Sequence, residues 1–272
     1  HLSHSTFPKE EALDLINDVL QNYDEYWKDN EYRSEPEKEK FVRSAKGTPL
    51  GRLLDNLNKT VLAPHDKMLP DFIFGGVKNM NHAKAAKYLL GRKRRRTSLK
   101  LDITHFFEQI SEERVYHLFR DKCACSKKAA KLLANFCCVP KGQKGTNSRY
   151  KTIARGFATS SRLAVWCNLD TFIKLDRLVK KRLKGRDPRI AIYVDDIGIT
   201  ASRVSKEEMK KLSAEIADLL LNADKNQRLP INEKKTKISS HEEGIEHLGL
   251  RLYRNRLSIG AKTKSKIDRA KN

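Results

Sequence analysis

The chain has 272 residues, enough to bury one large core or two modest ones, and carries 56 Lys and Arg against 34 Asp and Glu, a formal charge of +22. A field of that sign exceeds what solubility requires and draws polyanions, with nucleic acid ahead of a membrane surface. No apolar run approaches a transmembrane helix and no signal peptide is visible, so a soluble, cytoplasmic protein without a membrane partner is expected.

The chain opens on His1 rather than methionine, which suggests a trimmed or partial N-terminus. Leu13, Ile16, Leu20 and Tyr23 recur at helical spacing and predict a helix over 10–26. The charged stretch 29–47 reads as a mobile, phosphate-facing segment or a solvated loop. A helix over 50–61 turns Leu53, Leu54 and Leu57 inward; a loop covers 63–70, and a second helix over 81–90 ends at Gly91. Arg92-Lys93-Arg94-Arg95-Arg96 is the densest positive patch, and its place just before the next strand favours contact with backbone phosphates over a localisation signal or plain solvated loop.

Beyond that strand, Ser111 caps a helix with Glu112 and Glu113 in its first turn and Val115, Leu118 and Phe119 as its buried stripe. Cys123, Cys125, Cys137, Cys138 and Cys167 lack the spacing of a zinc knuckle, and their odd number argues against a disulfide framework. Buried reduced thiols are the expectation, with zinc as the alternative. A Gly-rich turn over 141–148 leads to a strand, and one long amphipathic helix with Leu163, Trp166, Leu169, Phe172 and Ile173 on its apolar side runs on to about residue 184, where Gly185 closes it. Ser205 and Glu208 form a capping box for a helix carrying Met209, Leu212, Ile216, Leu219 and Leu220. Short strands follow near Lys237 and over 248–252, and the basic tail 262–272 reads as the start of another element. This order predicts an antiparallel sheet backed by helices.

Two segments carry chemistry. In 190–200, Asp195 and Asp196 interrupt an apolar, β-branched run that reads as a strand hairpin with the acids at or beside its turn. Folding gains nothing from two adjacent like charges against a core, and a bound divalent cation removes the conflict. Upstream, in 98–107, Leu99 and Leu101 share one strand face while Lys100 and Asp102 share the other. If the strands are neighbours, Asp102 and Asp195 converge on one site. Carboxylates select hard ions such as Mg²⁺, and a two-ion site serves in-line phosphoryl transfer.

These residues resemble the reverse transcriptases, in particular their bacterial retron, group II intron and defence-associated (abortive-infection) branches. Leu101-Asp102-Ile103-Thr104-His105-Phe106-Phe107 is similar to the family's first catalytic motif, and Tyr193-Val194-Asp195-Asp196 to its second. Arg155-Gly156-Phe157-Ala158-Thr159-Ser160 occupies the slot of a Pro-Gln-Gly-x-x-x-Ser motif that lies against template and nucleotide. Asn232-Glu233-Lys234-Lys235-Thr236 resembles a later palm motif, His247-Leu248-Gly249-Leu250 a turn supporting the primer end, and Gly75-Gly76-Val77-Lys78 loosely a fingers segment.

The resemblance implies an α+β, right-handed fingers-palm polymerase with an antiparallel palm sheet backed by helices and the thumb absent or incomplete. It places the N-terminal extension and fingers in 1–96, the palm with inserted helices in 97–255, and the start of a thumb or of another C-terminal element in 256–272. It implies RNA-directed addition of dNTPs to a primer 3′ end by a nucleotidyltransferase of bacterial antiphage defence. Asp102, Ile103, Asp195 and Asp196 would hold two Mg²⁺ ions, with Mn²⁺ as a substitute. Asp102, Asp195, Asp196 and Lys235 would be catalytic, and Ile103, Phe107, Arg155 and Gly156 would meet the nucleotide, Phe107 as the ring that excludes a 2′-hydroxyl. The partners implied are an RNA template or non-coding RNA, dNTPs and a DNA product, with a protein partner or homo-oligomer left open. Arg155 departs from the family's glutamine, so an atypically templated or template-independent DNA polymerase is the neighbouring reading, and a non-catalytic RNA-binding palm scaffold the alternative from another class.

Overall fold

A computed structural model describes residues 9–254 and 256–271; His1 and Asn272, the ends of the sequence, lie outside the described residues. In chain order come α1 (Lys9–Gln21), β1 (Lys28–Asp29), β2 (Arg43–Ser44), α2 (Pro49–Asn56), α3 (His82–Leu89) and β3 (Arg96–Asp102). Then follow α4 (Glu112–His117), α5 (Lys127–Cys137), β4 (Cys138–Pro140), β5 (Lys151–Ile153), α6 (Ser160–Cys167) and α7 (Leu169–Arg182). The hairpin strands β6 (Arg189–Tyr193) and β7 (Asp196–Ser202) precede α8 (Lys206–Asn222), β8 (Lys237–Ser239), β9 (Ile245–His247), β10 (Leu250–Tyr253), β11 (Arg256–Ile259) and α9 (Ala261–Lys271). The strand ladders are antiparallel, so the chain is the α+β protein its sequence predicts. Among the described residues no helix is long and apolar enough to cross a membrane. Internal contacts divide the chain into two units, one of residues 1–69 and 105–167, the other of 70–104 and 168–272.

In the first unit, α1 buries Leu15 and Val19 and leaves Leu13 and Leu20 exposed, a correction to the predicted stripe. Two apolar stripes overlap on this short helix, and the four-residue spacing of Leu15 and Val19 is the one satisfied. Thr48 caps α2 by accepting the Gly51 N–H at 3.1 Å, and the helix continues into a π turn that buries Leu57 and Leu62 beside Leu50 and Leu54. The stretch expected to be a mobile or solvated segment is instead folded: β1 pairs with β2, and Arg43 is only 4 % exposed. Its guanidinium lies 5.5 Å from the Trp27 ring and 5.2 Å from the Phe41 ring, with Asp29 at 2.6 Å. Composition flags the charge but not that a planar cation can be stacked and buried. Cys137 and Cys138 are fully buried, and burial pushes the Cys137 thiol up to about 12. The single predicted helix of 160–184 is two helices, α6 and α7, separated at Asn168.

In the second unit the sheet runs β6-β7-β3-β8, with β3 in the interior. Register sets Leu99 opposite Ile199 and Leu101 opposite Ile197, while Ile190 and Ile192 face the same two isoleucines from β6. These residues make one buried, apolar face, and α8 packs on β3 after starting at the predicted Ser205 and Glu208 capping box. On the other face Gly198 stands opposite both Lys100 and Ala191. A Cβ there would come within 2.6 Å of Leu89 and 2.8 Å of His247, so glycine is what lets α3 and β9 close over this face.

Two expectations change here. Arg96 is not part of the exposed basic patch: it is 5 % exposed, ion-paired to Asp187 at 2.6 Å and bonded through Nε to Thr200. Burial opposes ionisation of Asp187, but the N–H groups of Lys93 and Arg92 together with Arg96 hold its carboxyl at about 2. The predicted strand over 248–252 begins two residues later, because Leu248 and Gly249 form the β9–β10 turn with φ of 53° and 77°. The Arg92–Arg95 stretch is left exposed. Replacing Arg94 and Arg95 by glutamine is expected to weaken binding to single-stranded RNA about threefold to tenfold and to reduce the slope of log K against log salt by one to two, read from titrations at several salt concentrations. An unaltered slope would show that the patch meets no phosphate.

Candidate active site

Asp102 ends β3 and Asp196 begins β7, and the ladder sets them directly opposite one another. Side chains of directly opposed residues share a sheet face, so two carboxylates stand side by side on the polar face. Val194 and Asp195 form the two-residue turn between β6 and β7. Of the two it is Val194 that takes a positive φ, 62°, a conformation costly for a β-branched residue. Gly75 lies against this turn: a Cβ at that position would fall 2.4 Å from the Val194 nitrogen and 2.8 Å from the Tyr193 carbonyl carbon. Residues 72–75 also bind the edge of β6, with the Phe74 N–H donating to Ile192 and the Ile192 N–H donating to Phe72. The glycine doublet at 75 and 76 was the available signal for this support; its loose likeness to a fingers segment made no link with the hairpin.

The backbone after Asp102 is anchored on both sides. The Ile103 N–H donates to the Asp195 carbonyl at 3.0 Å, and the Asp102 carbonyl accepts the Asn232 N–H at 2.7 Å. Asn232 opens the short 3₁₀ turn Glu233–Lys235, which brings Lys235 Nζ to 3.0 Å from each carboxylate oxygen of Asp102. Lys100 Nζ lies 3.3 Å from Asp196 Oδ1, a buried oxygen that makes no hydrogen bond. Thus Asp102, Ile103, Asp195, Asp196 and Lys235 are brought together in one unit, along with Lys100, whose shared face with Asp102 was legible but whose ion pair was not. Among the described residues no three carboxylate, imidazole or thiol groups are drawn together closely enough to hold a metal ion, and ammonium groups neutralise Asp102 and Asp196 instead. The all-oxygen donor set, with one desolvated Asp196 oxygen lacking a hydrogen bond, fits a hard divalent cation in chemical type.

His247 lies on the same face of the sheet, beside Gly198, buried, with neither ring nitrogen hydrogen-bonded. Burial, aided by the Lys100 charge, pushes its imidazole down to about 3 and keeps it neutral.

Phe107, Arg155 and Gly156 belong to the other unit. Phe106 is fully buried and Phe107 nearly so, with their ring centroids 5.9 Å apart. Arg155 Nε and Nη2 each lie 3.0 Å from a different oxygen of Glu108, while its guanidinium sits 4.7 Å from the Phe107 ring centre. Gly156, at φ 103°, lets the backbone lie against Arg43, where a Cβ would be 2.4 Å from the carbonyl oxygen. Arg43, Glu108 and Arg155 line a cavity of about 720 Å³ together with Phe41, Arg149 and Tyr150.

The reverse transcriptase (RNA-dependent DNA polymerase) family profile matches residues 45–252. The chain is 27 % identical over 196 residues to the Retron Ec48 reverse transcriptase of Escherichia coli, a match covering 68 % of this chain and 43 % of that protein. It therefore spans less than half the length of that curated relative. Among solved structures, the apo telomerase of Candida tropicalis, truncated from its C-terminal domain, aligns at 13 % identity with a TM-score of 0.44, over 77 % of this chain and 44 % of the other. The telomerase of Candida albicans, in complex with a TWJ fragment of telomeric RNA, aligns at 12 % identity with a TM-score of 0.48, over 92 % and 40 %. With the profile spanning both aspartate motifs and most of the chain between and around them, this protein belongs to the reverse transcriptase family.

Proposed function

We propose that this chain is an RNA-directed DNA polymerase that adds dNTPs to a primer 3′ end. The observation that carries the reading is the in-register pair Asp102 and Asp196, with Asp195 in the adjoining turn. Two carboxylates opposed on neighbouring strands and a third in the turn beside them are the hard oxygen donors that in-line phosphoryl transfer needs, which supports the reading. Asp102, Ile103, Asp195 and Asp196 would hold two Mg²⁺ or Mn²⁺ ions, whose chemistry is to activate the primer hydroxyl and neutralise the leaving pyrophosphate.

The chain's own residues do the rest. Lys235 and Lys100 balance the carboxylates in the free protein, which removes the like-charge repulsion that would otherwise oppose folding. Lys235, 60 % exposed at its side chain, is free to swing from Asp102 and give a proton to the departing pyrophosphate. Phe107 serves as the ring beneath the sugar, and Arg155 and Gly156 meet the nucleotide. In this reading 97–255 is the palm with its inserted helices, 1–96 supplies the extension and fingers, and 256–272 begins a thumb. The resemblance to retron and defence-associated branches extends the proposal to bacterial antiphage defence in the cytoplasm, with an RNA template or a non-coding RNA as partner.

The test is incorporation of labelled dNTPs and rNTPs by purified protein with Mg²⁺ on a primed RNA. Incorporation restricted to dNTPs and abolished by RNase pretreatment of the template is expected. Absence of incorporation on every primed template, with RNA still bound, would replace this reading by the RNA-binding scaffold.

A further inference from the structure

The departure at Arg155 raises the question of what a permanent cation does where the family carries an amide. The side chain is spoken for twice over. Its edge, Nε and Nη2, is taken up by the two oxygens of Glu108 at 3.0 Å each, and its plane lies over the Phe107 ring with 4.7 Å to the ring centre. Glu108 is the residue next to Phe107 in the chain, so the carboxylate and the ring grip the same guanidinium from adjacent backbone positions. Both side chains of the ion pair are largely buried, at 16 % and 13 % exposed, which shields the pair from solvent screening.

The backbone at each end is fixed as well. The Arg155 carbonyl accepts the Arg43 N–H at 2.6 Å, and Phe107 opens a 3₁₀ turn closed by the Ile110 N–H on the Phe107 carbonyl at 3.1 Å. Phe106, fully buried, stands edge-on to Phe107 from another side. A glutamine at 155 can offer neither a flat cation for the ring nor a two-pronged donor for the carboxylate.

We propose that Arg155 and Glu108 are positioning residues for sugar selection: together they lock the Phe107 ring so that it rejects a 2′-hydroxyl. The inference rests on the polymerase reading and on Phe107 as the excluding ring. Steric exclusion is steep, and a ring free to shift by a few tenths of an ångström admits the hydroxyl that a fixed ring turns away. The clamp acts on selectivity through Phe107 and not on the chemical step.

The experiment measures kcat/KM for a dNTP and the matching rNTP with Arg155→Gln, Glu108→Gln, Arg155→Lys and Phe107→Ala, singly, and with Arg155→Gln on the Phe107→Ala background. Arg155→Gln and Glu108→Gln are each expected to lower the dNTP to rNTP ratio about tenfold, mainly through a lower KM for the rNTP, and Glu108→Gln should keep dNTP kcat within about threefold. Arg155→Lys, which keeps the charge and loses the fork, should fall between. Arg155→Gln should change nothing further once Phe107 is alanine, because its effect passes through the ring. A ratio unchanged in both single variants overturns the inference, and so does equal loss for both sugars or an undiminished effect of Arg155→Gln without the ring. In each of those cases the native chain still makes DNA, so the polymerase reading stands; a native chain that makes none overturns that reading at its source.

Discussion

Asp102→Asn and Asp195→Asn are each expected to lower DNA synthesis by at least about three orders of magnitude, a loss of about 4 kcal/mol of transition-state stabilisation. The substitution is close to isosteric and removes only charge. At position 102 the amide can still accept from Lys235, and because the Lys235 side chain is 60 % exposed, loss of the ion pair should cost about 1 kcal/mol of stability or less. At position 195 the backbone carbonyl still accepts the Ile103 N–H at 3.0 Å, so the turn keeps its anchor. Single-turnover primer extension, paired with urea unfolding and RNA titration, checks the prediction: synthesis should vanish while stability and RNA affinity persist. Synthesis retained within tenfold by either variant would remove that carboxylate from the catalytic set. Asp196→Asn should be milder, since in this reading it supports the other two.

The second large effect concerns stability against pH. His247 is buried and neutral, with burial and the Lys100 charge pushing its imidazole down to about 3, whereas an unfolded histidine titrates near 6.5. Below pH 6.5 the unfolded chain takes up a proton that the fold refuses, so stability is lost as pH falls from about 6.5 towards 3. At pH 5 the loss amounts to about 2 kcal/mol. His247→Phe removes the titrating group and also two buried ring nitrogens without hydrogen bonds, so it should be neutral or mildly stabilising at pH 7. Denaturant unfolding at pH 7 and pH 5 should show the native chain losing about 2 kcal/mol more than the variant across that interval. Equal losses would mean that His247 takes up its proton inside the fold.

The hairpin that carries Asp195 and Asp196 was legible because two rules coincide there: a β-branched apolar run marks the strands, and an acid pair inside it has no structural use. Alternation along 98–102 likewise put Asp102 on the face opposite Leu99 and Leu101, which is where the ladder sets it. What the sequence could not disclose were contacts made over long separations. Arg43 and Arg96 read as surface charge because nothing local announces the ring of Trp27 or the carboxylates of Asp29 and Asp187. Arg155 was conspicuous as a departure, yet its partner Glu108 lies 47 positions away. The helix break at Asn168 escaped notice because apolar spacing carries on through it, and periodicity reports the buried face better than the continuity of the axis.

The interior position of β3 has a consequence for how the protein is made. One flank of the strand awaits β7 and the other β8, and its last residue, Asp102, is paired with Asp196. At a ribosome speed of about 5–20 residues per second, the chain emerges for several seconds with both edges of this strand unmatched. Pairings so distant along the chain close late and slowly. The pairing of Asp102 with Asp196 therefore forms only after β7 has emerged, and a polypeptide terminated before that strand carries its first aspartate without its partner.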